Sequence, residues 1–234
     1  MRLDLLLMIL SLANLTASGE ESKKLPHLLG SCSTPLAGSS YERVHNIRTA
    51  VEKINGTILL PAEEFSFNKT VGKREYSTGF LPAPAIVYEE LKPVPGGGIC
   101  QVSSTLFNAV LLSDLKIVKR YRHHTPINYL PLGMDATVSW GTKDFRFRNT
   151  SKGRVQIIGY LSETAVTFEI YGEFPLAEEL QLETEIIESP TPFQERESKP
   201  GIEIILYRVR YRDGRVMERE YIHRDFYPAR ITER

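Results

Sequence analysis

Cysteine is scarce in this chain: only Cys32 and Cys100 occur among 234 residues, so no more than one disulfide can form. In an oxidising compartment that bond would close a long loop and stabilise the fold by about 3–5 kcal/mol. It would also silence Cys100 as a nucleophile. Charge of one sign is lacking too. The 29 lysines and arginines equal the 29 aspartates and glutamates, so no global field steers the protein to anionic lipid or nucleic acid. A nucleic-acid partner has no support. The apolar run at residues 5–15 is too short to cross a bilayer. Its length suits a signal-peptide core, and Ala17, Ser18 and Gly19 follow as a cleavage site. Residues 1–19 are therefore expected to be a signal peptide, and the mature protein to be exported with no stable membrane span. Arg2 is the only basic residue ahead of the run and Asp4 opposes it, which leaves a buried N-terminal helix as the alternative. No cysteine closes the segment, so a lipoprotein anchor is not indicated.

Spaced metal ligands are missing as well. His123 and His124 are adjacent and the cysteines lie far away, which does not match the ligand sets of zinc sites. The glycines of GGGIC are followed by neither the lysine nor the spacing of a phosphate-binding loop. No metal and no cofactor is expected. There is no internal repeat. What is present is an ordinary globular composition, 41% hydrophobic, in a length that holds one sizeable domain and a small appendage.

The chain is organised around residues 95–105, PGGGICQVSST. After the glycines, Val102, Leu106, Ala109, Val110 and Ser113 recur at three- and four-residue spacing, the period of a helix face. A tight loop of Gly96, Gly97 and Gly98 thus feeds a helix whose first turn carries Cys100. Glycine allows positive φ and close backbone approach. The free N–H groups and positive dipole end of a helix start favour a thiolate, which is the setting of a reactive cysteine. The alternative is a flexible connector and a small buried hydrophobe.

Residues 20–40 are polar and rich in Gly, Ser and Pro, and read as a mobile lead-in. Over 41–54, Val44, Ile47, Val51 and Ile54 mark one buried helix face, closed by Asn55-Gly56. A short strand at 57–60 and an extended piece with Phe65 and Phe67 on one face follow. Residues 68–80 read as a loop in which Lys73 and Arg74 either meet a substrate carboxylate or are solvated. Residues 116–124 read as a strand that becomes exposed toward His123 and His124. Phe145, Phe147, Val155, Ile157, Tyr160, Val166, Phe168 and Ile170 alternate through an antiparallel meander. Residues 173–199 read as a linker or arm containing a strand at 180–187. Residues 200–234 read as a β-hairpin turning at Asp213-Gly214, which must pack on something or pair with 180–187. The hairpin weakly resembles those of G-five-type wall modules. The expected fold is α+β: an N-terminal helix, a central helix starting at Cys100 on an antiparallel sheet, and a C-terminal hairpin appendage.

A cysteine at a helix start with a histidine on the following strand is how thiol hydrolases and transferases place an imidazole beside sulfur. Neighbours on a strand face opposite ways, so only one of His123 and His124 faces Cys100. Asp135 stands where a carboxylate accepts the second imidazole N–H; an Asx-type turn cap is the alternative, and Asp144 is a second candidate. Backbone N–H groups at Cys100 and Gln101, with the Gln101 side chain, are candidate oxyanion donors. Ser103 and Ser104 are candidate substrate contacts.

The blocks FSFNKTVGKREYSTGF, GGGICQVSSTLFNAVL and KIVKRYRHHTPINYLPLGMDATVSWGTKDFRFRN, in that order, resemble the VanW family, named after an accessory protein of a vancomycin-resistance cluster. The resemblance covers about residues 41–172. Ala62 departs from the family's PGE-F pattern, and His124 stands where a serine commonly follows the family histidine. The resemblance selects His123 as the base. It implies a cell-wall protein in which Cys100 and His123, with Asp135 as the candidate orienting carboxylate read from the residues, act on peptidoglycan stem peptides as an L,D-transpeptidase-like acyltransferase or a peptidase. The alternatives are a non-catalytic peptidoglycan-binding or resistance-accessory module, and a structural role with Cys32 bonded to Cys100.

Overall fold

The computed structural model describes residues 24–87, 90–189, 198–199, 201–228 and 230–231; the expected signal peptide lies outside them. In chain order the elements are β1 (His27–Pro35), α1 (Tyr41–Ile54), β2 (Ile58–Leu59), β3 (Glu64–Ser66), α2 (Phe67–Val71), β4 (Pro82–Val87), β5 (Glu90–Pro95) and α3 (Ile99–Leu111). Then come β6 (Lys116–Lys119), β7 (Arg146–Arg148), β8 (Val155–Leu161), β9 (Ala165–Gly172), β10 (Glu179–Ser189), β11 (Ser198–Lys199), β12 (Gly201–Arg212), β13 (Arg215–Tyr227) and β14 (Arg230–Ile231). The fold is α+β. Helices α1 and α3 cover one face of an antiparallel sheet of order β1-β9-β8-β2. Smaller sheets of order β3-β7-β6 and β10-β12-β13 flank it.

Helix α1 forms where the apolar period places it. Ser40 accepts from the Arg43 N–H at its start, Asn55 caps its end, and Ile47, Ala50, Val51 and Ile54 are buried. Helix α3 is buried along almost its whole length, with Val102, Leu106, Phe107 and Val110 fully inside. Such burial makes it the core of the domain, because each of those side chains contributes about 1.5–3 kcal/mol when removed from water.

Three readings of the sequence need correction. The lead-in at 20–40 contains β1, which pairs with β9 from His27↔Gly172 to Pro35↔Ala165. Leu29 and Leu36 are buried, and Gly30 lies so close to α3 that an added Cβ would sit 2.7 Å from the Leu112 carbonyl carbon. The loop at 68–80 starts inside α2, which Ser66 caps. The strand beginning at Lys116 ends at Lys119, so His123 and His124 lie on irregular chain.

The C-terminal hairpin forms as expected, with Asp213 and Gly214 both at positive φ. It pairs with β10 from Glu179↔Tyr211 to Ser189↔Gly201, so the strand expected at 180–187 forms and becomes the third strand of the hairpin's sheet. This sheet is docked rather than appended. Arg208 donates from Nη1 to the carbonyls of Leu111 at 3.1 Å and Leu115 at 3.4 Å, and Arg210 forms a two-pronged pair with Asp114. Leu206 joins the main core. No helix among the described residues is long and apolar enough to cross a membrane.

Candidate active site

The glycine loop sets the position of Cys100. Gly98 is the N-cap of α3 at φ +105°, a conformation that L side chains rarely adopt. At Gly97 a Cβ would stand 2.3 Å from the Ala83 carbonyl oxygen, so only glycine lets the loop pass over β4. The Asn46 side chain fixes the same crossing by donating to the Leu81 and Gly97 carbonyls. Cys100 then emerges in the first turn of α3.

Two serines fix what lies opposite the sulfur. Ser103 Oγ donates to the Ala136 carbonyl at 2.6 Å, and Ser104 Oγ accepts from the Ala136 N–H at 2.9 Å. Both are fully buried. They stitch residues 135–138 to α3 instead of contacting a substrate, which corrects the reading from sequence. The stitched segment presents Thr137 Oγ1 3.3 Å from Cys100 Sγ and the Val138 carbonyl oxygen at 3.6 Å.

Asp135, at the start of that segment, holds His123. Its Oδ2 is 2.5 Å from His123 Nδ1 and accepts the His123 backbone N–H at 2.6 Å. With Nδ1 engaged, Nε2 is the ring nitrogen left for sulfur. Burial pushes the Cys100 thiol up, but the hydrogen bond and charge of His123, with Thr137 and the Val138 backbone, bring it down to about 7. Burial pushes His123 the other way, yet Asp135 and Cys100 raise it to about 9. Between these values the favoured state is a thiolate beside an imidazolium. The Asp135 carboxyl is itself held below the usual range despite burial, through His123 and Arg120.

The remaining expected residues divide. His124 is exposed. Asp144 is not at the site: it accepts from Ser66 Oγ at 2.7 Å and from the Asn68 N–H at 2.8 Å, capping α2. The Gln101 side chain is no oxyanion donor, because its Nε2 donates to Thr34 Oγ1 and the Pro35 carbonyl while Arg43 donates to its Oε1. The Gln101 N–H is taken by the Gly98 carbonyl and that of Ile99 by Gly96; the Cys100 N–H has no acceptor among the described residues. Lys73 pairs with Glu75 on the surface. Arg74 packs against Gly96, donates to the Gly72 carbonyl and Asn68 Oδ1, and lies close enough to feel the Cys100 charge. Both cysteines are free; Cys32 sits on β1 and burial pushes its thiol up to about 11.

Several residues of the site carry no signal in the sequence. Thr137 is one. Tyr129 is another, since its phenol lies near Cys100 and Ser104, and burial and the Cys100 charge raise its pKa. Arg120 donates to Asp135 Oδ1 at 2.8 Å and to both oxygens of Asp225 at 2.7 Å. Tyr227 adds a 3.3 Å bond to Asp135 Oδ1.

The sequence model of the family described as VanW like protein matches residues 42–171, more than half of the chain. The chain is 48% identical over 133 residues to the uncharacterized protein YoaR of Bacillus subtilis (strain 168), covering 55% of this chain and 44% of that one. It is 29% identical over 136 residues to the vancomycin B-type resistance protein VanW of Enterococcus faecalis (strain ATCC 700802 / V583), covering 56% and 50%. The chain thus spans about half the length of the curated relatives it matches. No solved structure matches it.

Proposed function

The chain belongs to the VanW family, and on that premise we propose that it is an exported cysteine acyltransferase of L,D-transpeptidase type, acting on peptidoglycan stem peptides. One observation carries the reading: Asp135 fixes the His123 imidazole, and His123 in turn brings the Cys100 thiol down to about 7. A structural cysteine needs no such partner. The apolar run at residues 5–15 supports export, and the wall setting rests on the family.

The thiolate attacks a carbonyl carbon of the donor stem, forming a C–S bond, and the oxyanion meets the Cys100 N–H. As the tetrahedral adduct collapses, the C–N bond breaks and the leaving amine takes the imidazolium proton from His123. The side-chain amine of a second stem then attacks the thioester and gives its proton to the neutral imidazole. The C–S bond breaks, a new amide forms, and the thiolate is restored beside an imidazolium. Water in place of that amine makes the same site a peptidase. Arg74, packed against Gly96 and close enough to feel the Cys100 charge, is the cation we assign to a substrate carboxylate, at the cost of its bonds to the Gly72 carbonyl and Asn68.

The test is incubation of the mature protein with a purified tetrapeptide-stem muropeptide, followed by mass spectrometry of protein and products. An acyl adduct on Cys100 and a cross-linked dimer are expected, both absent in Cys100→Ser. Absence of any adduct, with stem binding unchanged in Cys100→Ser, would hand the family assignment to a non-catalytic wall-binding or resistance-accessory module.

A further inference from the structure

Asp135 is not held by the VanW-matching part of the chain alone. Arg120 lies between two carboxylates, with Nη2 on Asp135 Oδ1 and Nη1 on both oxygens of Asp225. All three side chains are less than a tenth exposed. Asp225 belongs to β13, 105 residues from Arg120 and beyond the family match at 42–171. Tyr227, two residues on, donates to the Asp135 oxygen that Arg120 also holds. His223, on the same strand, bonds the Gly133 carbonyl at 2.9 Å and lies 3.5 Å from Asp225. It fixes the turn that leads into Asp135.

We propose that the C-terminal β-hairpin is a working part of the Cys100 site, and that Asp225 is a positioning residue which, through Arg120, sets how strongly Asp135 holds His123. The inference rests on the reading of Cys100 as a thiolate activated by His123. Its electrostatic consequence has a definite sign. The Arg120 cation is shared between Asp225 and Asp135. Removing the Asp225 charge turns the whole cation on Asp135, which then holds the imidazolium less strongly, so His123 gives up its proton at lower pH. Removing the Tyr227 hydroxyl does the reverse, because Asp135 Oδ1 loses a donor and the carboxylate becomes a stronger acceptor for His123. The other charged or titratable groups in reach are Arg122 over the Tyr227 ring, His223 beside Asp225, and Tyr129 and Arg74 on the sulfur side. Both variants leave these four in place.

The experiment titrates the His123 imidazole of the purified mature protein by the NMR shifts of its ring protons against pH, in the natural chain, Asp225→Asn and Tyr227→Phe, with His123→Ala to assign the signals and with Cys100 alkylation rates and thermal melting alongside. Asp225→Asn is expected to move the His123 midpoint down by roughly half to one pH unit. Tyr227→Phe is expected to move it up. Unchanged midpoints in both variants, with only the melting temperature lowered, would show that the hairpin merely packs against the domain and would overturn the inference. If Asp225→Asn does not fold, Tyr227→Phe decides alone by the sign of its shift. Slow alkylation of the natural chain that His123→Ala does not alter would instead remove the reading on which the inference rests.

Discussion

Asp135 Oδ2 takes two hydrogen bonds from one residue: the His123 ring nitrogen Nδ1 at 2.5 Å and the His123 backbone N–H at 2.6 Å. The double grip fixes both the chain and the ring, so the imidazole has one orientation in which Nε2 serves the sulfur. An Asx-type cap would have used the backbone bond alone.

Loss of the carboxylate is therefore expected to act on chemistry more than on fold. In Asp135→Asn the side chain keeps its shape, but the imidazolium loses its anion and its fixed tautomer. Acyl transfer is predicted to fall by at least roughly 100-fold. The buried Arg120 keeps Asp225, so the stability loss is predicted at about 1.5–3 kcal/mol, measured by denaturant unfolding.

Acyl transfer is predicted to follow a bell in pH. Cys100 is lowered to about 7, so the thiolate accumulates above that pH. His123 is raised to about 9, so the proton needed by the leaving amine is lost above that value. The plateau lies between them. A profile with one limb near the ordinary thiol value would contradict the pairing.

Thr137→Val removes the hydroxyl 3.3 Å from sulfur at nearly constant volume. The thiolate loses one donor, and the midpoint for alkylation of Cys100 is expected to rise by roughly half a pH unit. A lowered midpoint would mean that the hydroxyl accepts from the neutral thiol instead of donating to the thiolate.

Two glycine substitutions separate space from backbone strain. Gly97→Ala forces a Cβ to 2.3 Å from the Ala83 carbonyl oxygen and is predicted to cost about 3 kcal/mol. Gly38→Ala meets nothing within 4 Å but keeps φ at +72°, so its cost is predicted at only about 1–2 kcal/mol. Thermal melting of the two variants side by side checks the difference.

The sequence made the Cys100 helix legible because loop glycines and a sustained helical period meet at one point. Helix α1 was legible for the same reason, through its apolar stripe and its Asn55 cap. Strand β1 was not, since Ser31, Ser33 and Thr34 resemble loop residues and its partner β9 lies more than a hundred residues away. Polarity misled at Ser103, Ser104 and Gln101: hydroxyls and an amide that look ready for a ligand are consumed by backbone carbonyls and by Thr34 and Arg43. Asp144 misled similarly, because a carboxylate before a strand is equally suited to cap a helix 76 residues earlier. The Asp225–Arg120–Asp135 chain left no trace, as no local pattern marks an ion pair between residues 105 apart.

The most direct test is the alkylation of Cys100 at pH 7.5 in the mature protein, with His123→Ala beside it. Cys32 serves as an internal reference, because burial holds its thiol at about 11 and keeps it protonated there. Fast labelling confined to Cys100, collapsing toward the Cys32 rate in His123→Ala, is the predicted result. Equal, slow labelling of both cysteines regardless of His123 would contradict an activated thiolate and with it the acyltransferase.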